Sequence, residues 1–270
     1  MGDKLMEARA RGHRLSNESI VQSDTPPPSS AKQIVIKPIK AADANRIVKS
    51  CHYSGRVVPN SQLHFGVFLG GKCGGAMQYG PSMRKDLIAP LVSGTGWNEF
   101  IELNRMAFAD WLPRNSESRA IAISIKLIRK AYPHIKWIVS FADGTQCGDG
   151  TIYRASGFVL TGIKKNSEMV VCPKTGKVMA TMAAYHKGHA AKISTWQRVP
   201  GFMLRYIYFL DPTARERLTA PILPFSEIQR RGAGMYLGKP RAQSIDDDAP
   251  GSQPGEGGST PTCALQPSKL

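Results

Sequence analysis

The sequence has no stretch of apolar residues long enough to cross a bilayer, which takes about 18 or more in succession. Its N-terminal segment also lacks the apolar core of a secretory signal. These two absences predict a protein with no membrane span and no membrane partner, and they favour the cytoplasm.

Cysteine is scarce, and its spacing excludes two kinds of site. The five cysteines are an odd number, are widely spaced and never form a C-x-x-C pair. This usage argues against a disulfide framework and against a zinc site, and it is typical of reduced thiols in a cytosolic protein.

Acidic residues are few compared with basic ones. There are 20 Asp and Glu against 36 Lys and Arg, which gives a formal net charge of +16. An excess of this size favours a polyanionic partner, with nucleic acid ahead of an anionic membrane surface. The alternative is a basic protein whose charge serves only its solubility.

Both ends of the chain lack hydrophobic periodicity. Residues 1–32 are polar and carry TPPPSS, and residues 236–270 are rich in Pro, Gly and Ser with a short acidic run. Both segments are predicted to be disordered, as an N-terminal arm and a C-terminal tail. The folded part is then 33–235, a length compatible with one domain.

Within the folded part, apolar residues recur with strand and helix periods in turn. The resulting α/β prediction is a mixed sheet with helices on both faces. The predicted elements are a strand at 33–41, a helix at 41–55, a hairpin at 62–80, a strand at 99–109, a helix at 113–133, a strand at 135–143, a short helix at 150–157, and strands at 158–162 and 201–211.

One stretch combines a strand, a loop and a helix start in a way that favours anion binding. Residues 103–126 run from a strand into a helix whose first turn is Asn-Ser-Glu-Ser. Free backbone amides at a helix start bind anions, and Arg105, Arg114 and Arg119 would add charge. The alternative is a well-capped helix with solvated arginines.

Residues 113–162 resemble the cofactor-binding half of the GCN5-related N-acetyltransferase superfamily. The superfamily pattern Tyr-x-x-x-Gly-Phe stands here as Tyr153 to Phe158. The resemblance implies a mostly antiparallel central sheet, acetyl-CoA or a related donor, and Tyr153 as a general acid. The donor would contact the loop after the fourth strand, at Arg114, Asn115, Ser116 and Arg119. That loop is normally glycine-rich and has no glycine here, which opposes close approach of its backbone to a phosphate.

A narrower resemblance covers most of residues 35–211. The strings HYSGRVVPNSQLHFGVF (52–68), EFIELNRMAFADWLPRNSESRA (99–120) and SFADGTQCGDGTIYRASGFVLTG (140–162) are similar to the Mom family of phage DNA-modification proteins. The resemblance implies conversion of the exocyclic amine of adenine in double-stranded DNA to an acetamido (carbamoylmethyl) derivative, which protects the DNA from restriction. It also implies iron as a possible cofactor and the host bacterial cytoplasm as the location.

The same resemblance implies a set of site residues. His52 and Asp143 would be iron ligands, or a base and the group that orients it. Each residue also has a structural interpretation: a satisfied histidine, a turn after a strand, or a tyrosine packed in the core. The candidate catalytic residues are His52, Tyr53, Arg105, Ser118, Asp143 and Tyr153.

DNA contact is predicted from a basic stretch with interleaved aromatics at 185–198 and from lysines in a loop at 163–177. The target amine lies inside a duplex, so the adenine is expected to flip out. The alternatives are an ordinary acetyltransferase of a protein or small molecule, and a non-catalytic DNA-binding protein. The oligomeric state is left open. The candidate DNA-binding residues are Tyr185, Lys187, Lys192, Trp196 and Arg198.

Overall fold

The computed structural model describes residues 29–144, 148–176, 178–236 and 239–240. Most of the predicted arm and tail lie outside this part, so their disorder stays a prediction. Ser30, inside the predicted arm, caps a short 3-10 helix at Ala31–Gln33. No helix among the described residues is both long enough and apolar enough to span a membrane.

Ten strands and seven helices are assigned in the described residues. The strands are β1 (Val35–Pro38), β2 (Leu63–Leu69), β3 (Lys72–Gly80), β4 (Phe100–Phe108), β5 (Trp137–Asp143), β6 (Val159–Val171), β7 (Val178–Ala180), β8 (Arg198–Phe209), β9 (Met235–Tyr236) and β10 (Lys239–Pro240). The helices are α1 (Ala41–Cys51), α2 (Lys85–Ile88), α3 (Ser116–Ala131), α4 (Thr151–Ala155), α5 (Thr181–Ala184), α6 (Pro212–Glu216) and α7 (Ser226–Arg230).

The main sheet has the strand order β1-β2-β3-β4-β5-β8-β6-β7. The pairs β1–β2, β2–β3, β3–β4 and β6–β7 are antiparallel, whereas β4 and β5 are parallel. A mixed, mostly antiparallel sheet is therefore confirmed. The order strand, helix, strand, short helix, strand over β4, α3, β5, α4 and β6 is the one that the acetyltransferase resemblance implied.

The described residues divide into two compact units. The first takes in the chain up to Phe141, together with Thr151–Thr161 and Arg205–Ile222. Its core includes Trp137, whose ring stacks on Phe100 with the centroids 4.5 Å apart. The prediction of a single domain over 33–235 stays a prediction.

The second unit takes in Ala142–Gly150, Gly162–Leu204 and the residues from Leu223 onward. One of its cores is a small cluster of Val170, Cys172, Ala184 and Trp196. The predicted loop at 163–177 is wrong over its first part, because β6 continues to Val171 and pairs with β7.

Helix α1 packs against the sheet and positions His52, which directly follows its last residue. Ala44 and Val48, one turn apart, are fully buried, so this face packs against the sheet. Asp43 in the first turn suits the positive end of the helix dipole. The helix ends at Cys51, and His52 follows in an extended conformation.

Helix α3 has the amphipathic period that the sequence predicted. Ile121, Ile125 and Ile128 are buried, and Tyr132 caps its end just before Pro133. At its start, no hydrogen bond from the Asn115 side chain caps the helix. Ser116 donates its hydroxyl hydrogen to the carbonyl oxygen of Pro113, at 2.6 Å, so it does not accept a helix amide in the usual way.

Strand β4 loses β5 as a neighbour after its first three residues, while it stays paired with β3 up to Phe108. It pairs with β5 only from Phe100 to Glu102, opposite Trp137 to Val139. On the β3 side the register shifts, with Gln78 opposite Arg105 and Tyr79 opposite Leu103, so Asn104 is the extra residue of a β-bulge. Bulges of this kind turn side chains out of the regular pleat and are common beside active sites.

The backbone requires glycine at two positions, one near this bulge and one in the Tyr-x-x-x-Gly-Phe pattern. A Cβ at Gly80 would lie 2.5 Å from the carbonyl oxygen of Asn60 and 2.7 Å from Oδ1 of Asn104. Gly157 has φ of +82° and ends α4 in the left-handed conformation. The amide of Phe158 then donates to the carbonyl oxygen of Tyr153 at 3.0 Å.

Candidate functional site

His52 is held in one tautomer by the turn that follows α1. The backbone amide of Ser54 donates to Nδ1 of His52 at 3.1 Å, and the Ser54 hydroxyl lies 2.8 Å from the same nitrogen. Burial, with the charge of Arg105 adding to it, lowers the pKa of His52 to about 4. His52 is therefore neutral at pH 7, and its ring proton is on Nε2.

Arg105 lies beside His52 and is fixed by two backbone carbonyls. Its Nε donates to the carbonyl oxygen of Arg56 at 2.9 Å, and one terminal nitrogen donates to that of Asn104 at 2.7 Å. Burial lowers the pKa of Arg105, while Tyr53 and Glu102 favour its charged form. The guanidinium stays protonated, so this site contains a fixed positive charge.

Tyr53 completes a cluster with these two residues. Its ring centroid lies 4.2 Å from that of His52, and the residue is 50% exposed. The structure therefore brings together three of the predicted site residues, His52, Tyr53 and Arg105. An exposed aromatic ring next to a cation is suited to stack on a planar ligand.

Glu102 is a member of this site that the sequence reasoning missed. It occupies the last paired position between β4 and β5. Burial raises the pKa of its carboxyl, which the Ser82 hydroxyl and the charge of Arg105 partly offset. The signal was present in the sequence as an acidic residue between apolar ones in the strand EFIELNR.

The β-bulge places Asn104 next to Glu102. The Ser61 hydroxyl donates to Oδ1 of Asn104 at 3.1 Å. The Asn104 side chain hydrogen-bonds the Glu102 carboxyl and, like the Ser82 hydroxyl, lowers its pKa. Among the described residues, the buried Oδ1 of Asn60 has no hydrogen-bond partner, and an unpaired buried polar atom is typical of a binding site.

The turn between β4 and α3 has no glycine, but one of its residues adopts the left-handed conformation that is usual for glycine. Asn115 has φ of +69°, and it is the only described residue other than glycine with a positive φ. The amides of Glu117 and Ser118, at the start of α3, make no backbone hydrogen bond to the described chain. An anion could accept from these amides.

Side chains around this turn are partly engaged with the protein itself. Ser118 donates its hydroxyl hydrogen to the carbonyl oxygen of Asn115 at 3.3 Å, and Arg119 donates to that of Lys32 at 3.1 Å. Ser116 is buried, whereas Arg114 is exposed. Arg114 is thus the better placed of the two predicted arginines to contact a bound anion.

Tyr153 lies in an aromatic cluster of the first unit. It is 7% exposed, and its ring centroid lies 5.2 Å from that of Tyr206 and 5.4 Å from that of Phe158. It is also close enough to Tyr79 to help raise the pKa of that buried phenol, which is raised mainly by burial. The packing accounts for the burial of Tyr153, and its acid role stays a prediction.

Asp143 and the predicted DNA-binding residues belong to the second unit. Asp143 ends β5 and is half-buried. Tyr185 and Arg198 are exposed, whereas Trp196 is 8% exposed and packs against His189 with the ring centroids 5.0 Å apart. The side chains of Lys187 and Lys192 lie outside the described residues. The roles of all these residues stay predictions.

His52 does not fit the predicted iron site. Its Nδ1 already accepts a backbone amide, so the neutral ring has its proton on Nε2 and offers no free lone pair. In the part of the chain that the structure describes, no three His, Cys, Asp or Glu side chains come together as a metal-binding group.

A family model described as the Mom protein family matches residues 33–227. The chain belongs to the Mom family. The methylcarbamoylase Mom of Escherichia phage Mu is 32% identical in an alignment of 214 positions that covers 71% of this chain and 82% of the phage protein. The Mom family match covers both β4 with its bulge and the turn that leads into α3.

Solved acetyltransferases resemble this Mom family chain at low identity. The ribosomal-protein-S18-alanine N-acetyltransferase from Escherichia coli aligns with a TM-score of 0.40 and 10% identity, covering 66% of this chain and 94% of its own. A Bacillus subtilis acetyltransferase in complex with CoA gives 0.40 and 8%, covering 66% and 97%. A spermidine/spermine N-acetyltransferase from Vibrio cholerae, in complex with manganese ions, gives 0.40 and 9%, covering 69% and 98%.

Proposed function

We propose that this chain modifies adenine in DNA, converting its exocyclic amine to an acetamido (carbamoylmethyl) derivative that protects the DNA from restriction. The observation that carries the proposal is the cluster of His52, Tyr53, Glu102 and Arg105 where β4 and β5 part, in a chain 32% identical to a methylcarbamoylase. The host bacterial cytoplasm is the compartment where such a protein would meet its DNA.

The environments of His52 and Glu102 assign them different roles. With a pKa of about 4, His52 is a weak base at pH 7, but its Nε2–H can donate a hydrogen bond to the substrate. The carboxyl of Glu102 has a raised pKa, which makes it the better acceptor for the proton that the adenine amine loses. In that step the amine nitrogen would bond to the methylene carbon of the carbamoylmethyl group, and the bond from this carbon to the rest of the donor would break, with its electron pair leaving on the donor. Arg105 would stabilise negative charge that develops on the donor.

The donor would lie at the turn between β4 and α3. The amides of Glu117 and Ser118 and the side chain of Arg114 suit the phosphates of acetyl-CoA or a related carrier. The left-handed conformation of Asn115 supplies the sharp turn that glycine usually provides. Calorimetry of acetyl-CoA binding, with and without DNA, tests this assignment, and no heat of binding under either condition would reject it.

Double-stranded DNA is the proposed partner, with one adenine flipped out of the helix. The formal charge of +16 favours contact with the phosphate backbone. Tyr53 is the exposed aromatic residue of the site and is placed to stack on the extruded base. Tyr185 and Arg198 are proposed to contact DNA from the second unit.

Mass spectrometry of nucleosides tests the function. Plasmid DNA from cells expressing the intact chain should contain a deoxyadenosine heavier by an acetamido group, and Arg105→Ala should abolish it. Arg230→Ala, an exposed arginine of α7 paired with Glu227, is the matched control and should keep the modification. Unmodified deoxyadenosine alone, from well-expressed intact protein, would contradict the proposal.

Two other functions make different predictions in the same experiment. An ordinary acetyltransferase would bind acetyl-CoA and leave the plasmid unmodified. A non-catalytic DNA-binding protein would bind DNA without modifying it, and Arg105→Ala would then change binding alone.

A further inference from the structure

Trp97 is the most exposed of the large hydrophobic side chains in the described part of the chain, at 77%. It lies in the loop before β4, and Lys85 holds it in place. Lys85 Nζ donates to the carbonyl oxygen of Trp97 at 2.8 Å and lies 4.0 Å from the centre of its indole ring. Leaving an indole this exposed is costly in water, so a ring that the protein also fixes indicates a contact surface.

Two cavities meet at this tryptophan. One, of about 550 Å³, is lined by Pro81, Tyr132 and His134 among others. The other, of about 590 Å³, is lined by Ser82, Met83 and Thr95 among others. Trp97, Lys85 and Phe100 line both cavities, so the indole lies between the two hollows. Each hollow is large enough for a nucleobase with its sugar.

The charge around the hollows is suited to a polyanion, because Asp86, which lines the second hollow, is paired with Arg84 and leaves Lys85 as the uncompensated charge. The Lys85 ammonium has three hydrogens, of which one is used on the Trp97 carbonyl, so the others can reach a phosphate. Arg129 and Lys130, both exposed, form the basic last turn of α3, and Tyr132, two residues after Lys130, lines the first hollow. Aromatic rings interleaved with cations are the combination that binds unstacked nucleic acid.

The second hollow shares Ser82 with the surroundings of Glu102. Ser82 lines it, and the Ser82 hydroxyl lowers the pKa of the Glu102 carboxyl. A strand of DNA bound along this surface would therefore pass next to the residues proposed to act on adenine.

We propose that Trp97, together with Lys85, binds an unstacked nucleobase of DNA by stacking, next to the site where adenine is modified. The proposal rests on the proposed function in that DNA is the partner. The indole supplies a face that any base can occupy, and Lys85 supplies a cation for the adjoining phosphate. The surface thus holds the distorted strand and does not read its sequence.

Tryptophan fluorescence of the full chain tests this assignment, because two of the four tryptophans are exposed. Trp137 and Trp196 are buried, and Trp111, 43% exposed with Lys72 4.8 Å from its ring centre, is the matched control for Trp97. Titration with a 12-nucleotide single-stranded DNA should quench the tryptophan fluorescence of the Trp111→Phe protein as much as that of the unaltered chain. The Trp97→Phe protein should lose most of that quenching.

Binding affinity gives the second measurement. Trp97→Ala should weaken binding of the oligonucleotide by roughly tenfold or more, as removal of a base-stacking ring does elsewhere, whereas Trp111→Ala should leave binding within about twofold. Equal affinity and equal quenching for Trp97 variants with unchanged circular dichroism would overturn the inference and indicate that this surface contacts a protein. Modified adenine in plasmid DNA is scored separately, so loss of one result leaves the other interpretable.

Discussion

At the scale of single residues, burial moves two titrating groups of the site toward their neutral forms. It lowers the pKa of His52 and raises that of Glu102, while Arg105 between them keeps its charge. The same physical cause therefore produces a hydrogen-bond donor at one residue and a proton acceptor at the other. Neither role can be read from residue type alone.

Substituting Glu102 should remove the proposed proton acceptor without removing the site. Glu102→Gln keeps the size of the side chain, and loss of a general base lowers turnover by roughly 10² to 10⁴. Nucleoside mass spectrometry should show that loss, while DNA binding in a mobility shift stays unchanged. Glu216→Gln, at the exposed end of α6, is the control. Retained modification by the Glu102 variant would show that another group accepts the proton.

His52 should make the stability of the fold depend on pH. Its pKa is lowered from 6.5 to about 4, so the unfolded chain binds more protons than the folded one in that window. Its stabilising effect is thus present above pH 6.5 and is lost as the pH falls toward 4. Urea unfolding at pH 7 and pH 5 should show a smaller pH effect for His52→Gln than for the unaltered chain. If the free energy of unfolding changes equally between pH 7 and pH 5 for both proteins, His52 has the same pKa in the folded and the unfolded chain.

At the scale of elements, local pattern predicted α3 and the hairpin of β2 and β3, but not the bulge. Ile121, Ile125 and Ile128 recur at helical spacing, and Gly70-Gly71 marks a turn, so neighbouring residues determine these features. The bulge at Asn104 depends on which residue of β3 it faces, more than twenty positions earlier. Periodicity within one segment contains no information on that pairing, whereas Glu102 was visible within its own segment as an acidic residue between apolar ones.

The turn before α3 gives a prediction about backbone strain. Asn115 adopts a left-handed conformation that glycine enters freely and a β-branched residue resists. Asn115→Gly should leave the free energy of unfolding about unchanged, whereas Asn115→Val should lower it by about 1 to 2 kcal/mol. Chemical denaturation measures both. If the two variants unfold alike, the turn relaxes and does not supply a rigid donor site.

At the scale of the whole molecule, the sequence predicted the class of partner from composition and the site from a resemblance. Composition alone indicated a polyanion, and the resemblance carried over His52, Tyr53 and Arg105, which the fold does bring together. The resemblance also implied iron, which the hydrogen bond on Nδ1 of His52 disfavours. Net charge depends on composition and not on the fold. A set of metal ligands, in contrast, depends on which lone pairs the folded chain leaves free of hydrogen bonds.

The charge of +16 should appear as a steep salt dependence of DNA binding, to which Arg198 is expected to contribute one contact. Each neutralised phosphate adds about 0.9 to the slope of log affinity against log salt concentration. Arg198 is exposed in the second unit, so Arg198→Ala should reduce the slope by about one and weaken binding equally for unrelated duplexes. Arg230→Ala should leave the slope unchanged. If Arg198→Ala weakens binding to one sequence and not to another, Arg198 contacts a base edge, because a phosphate contact is independent of sequence.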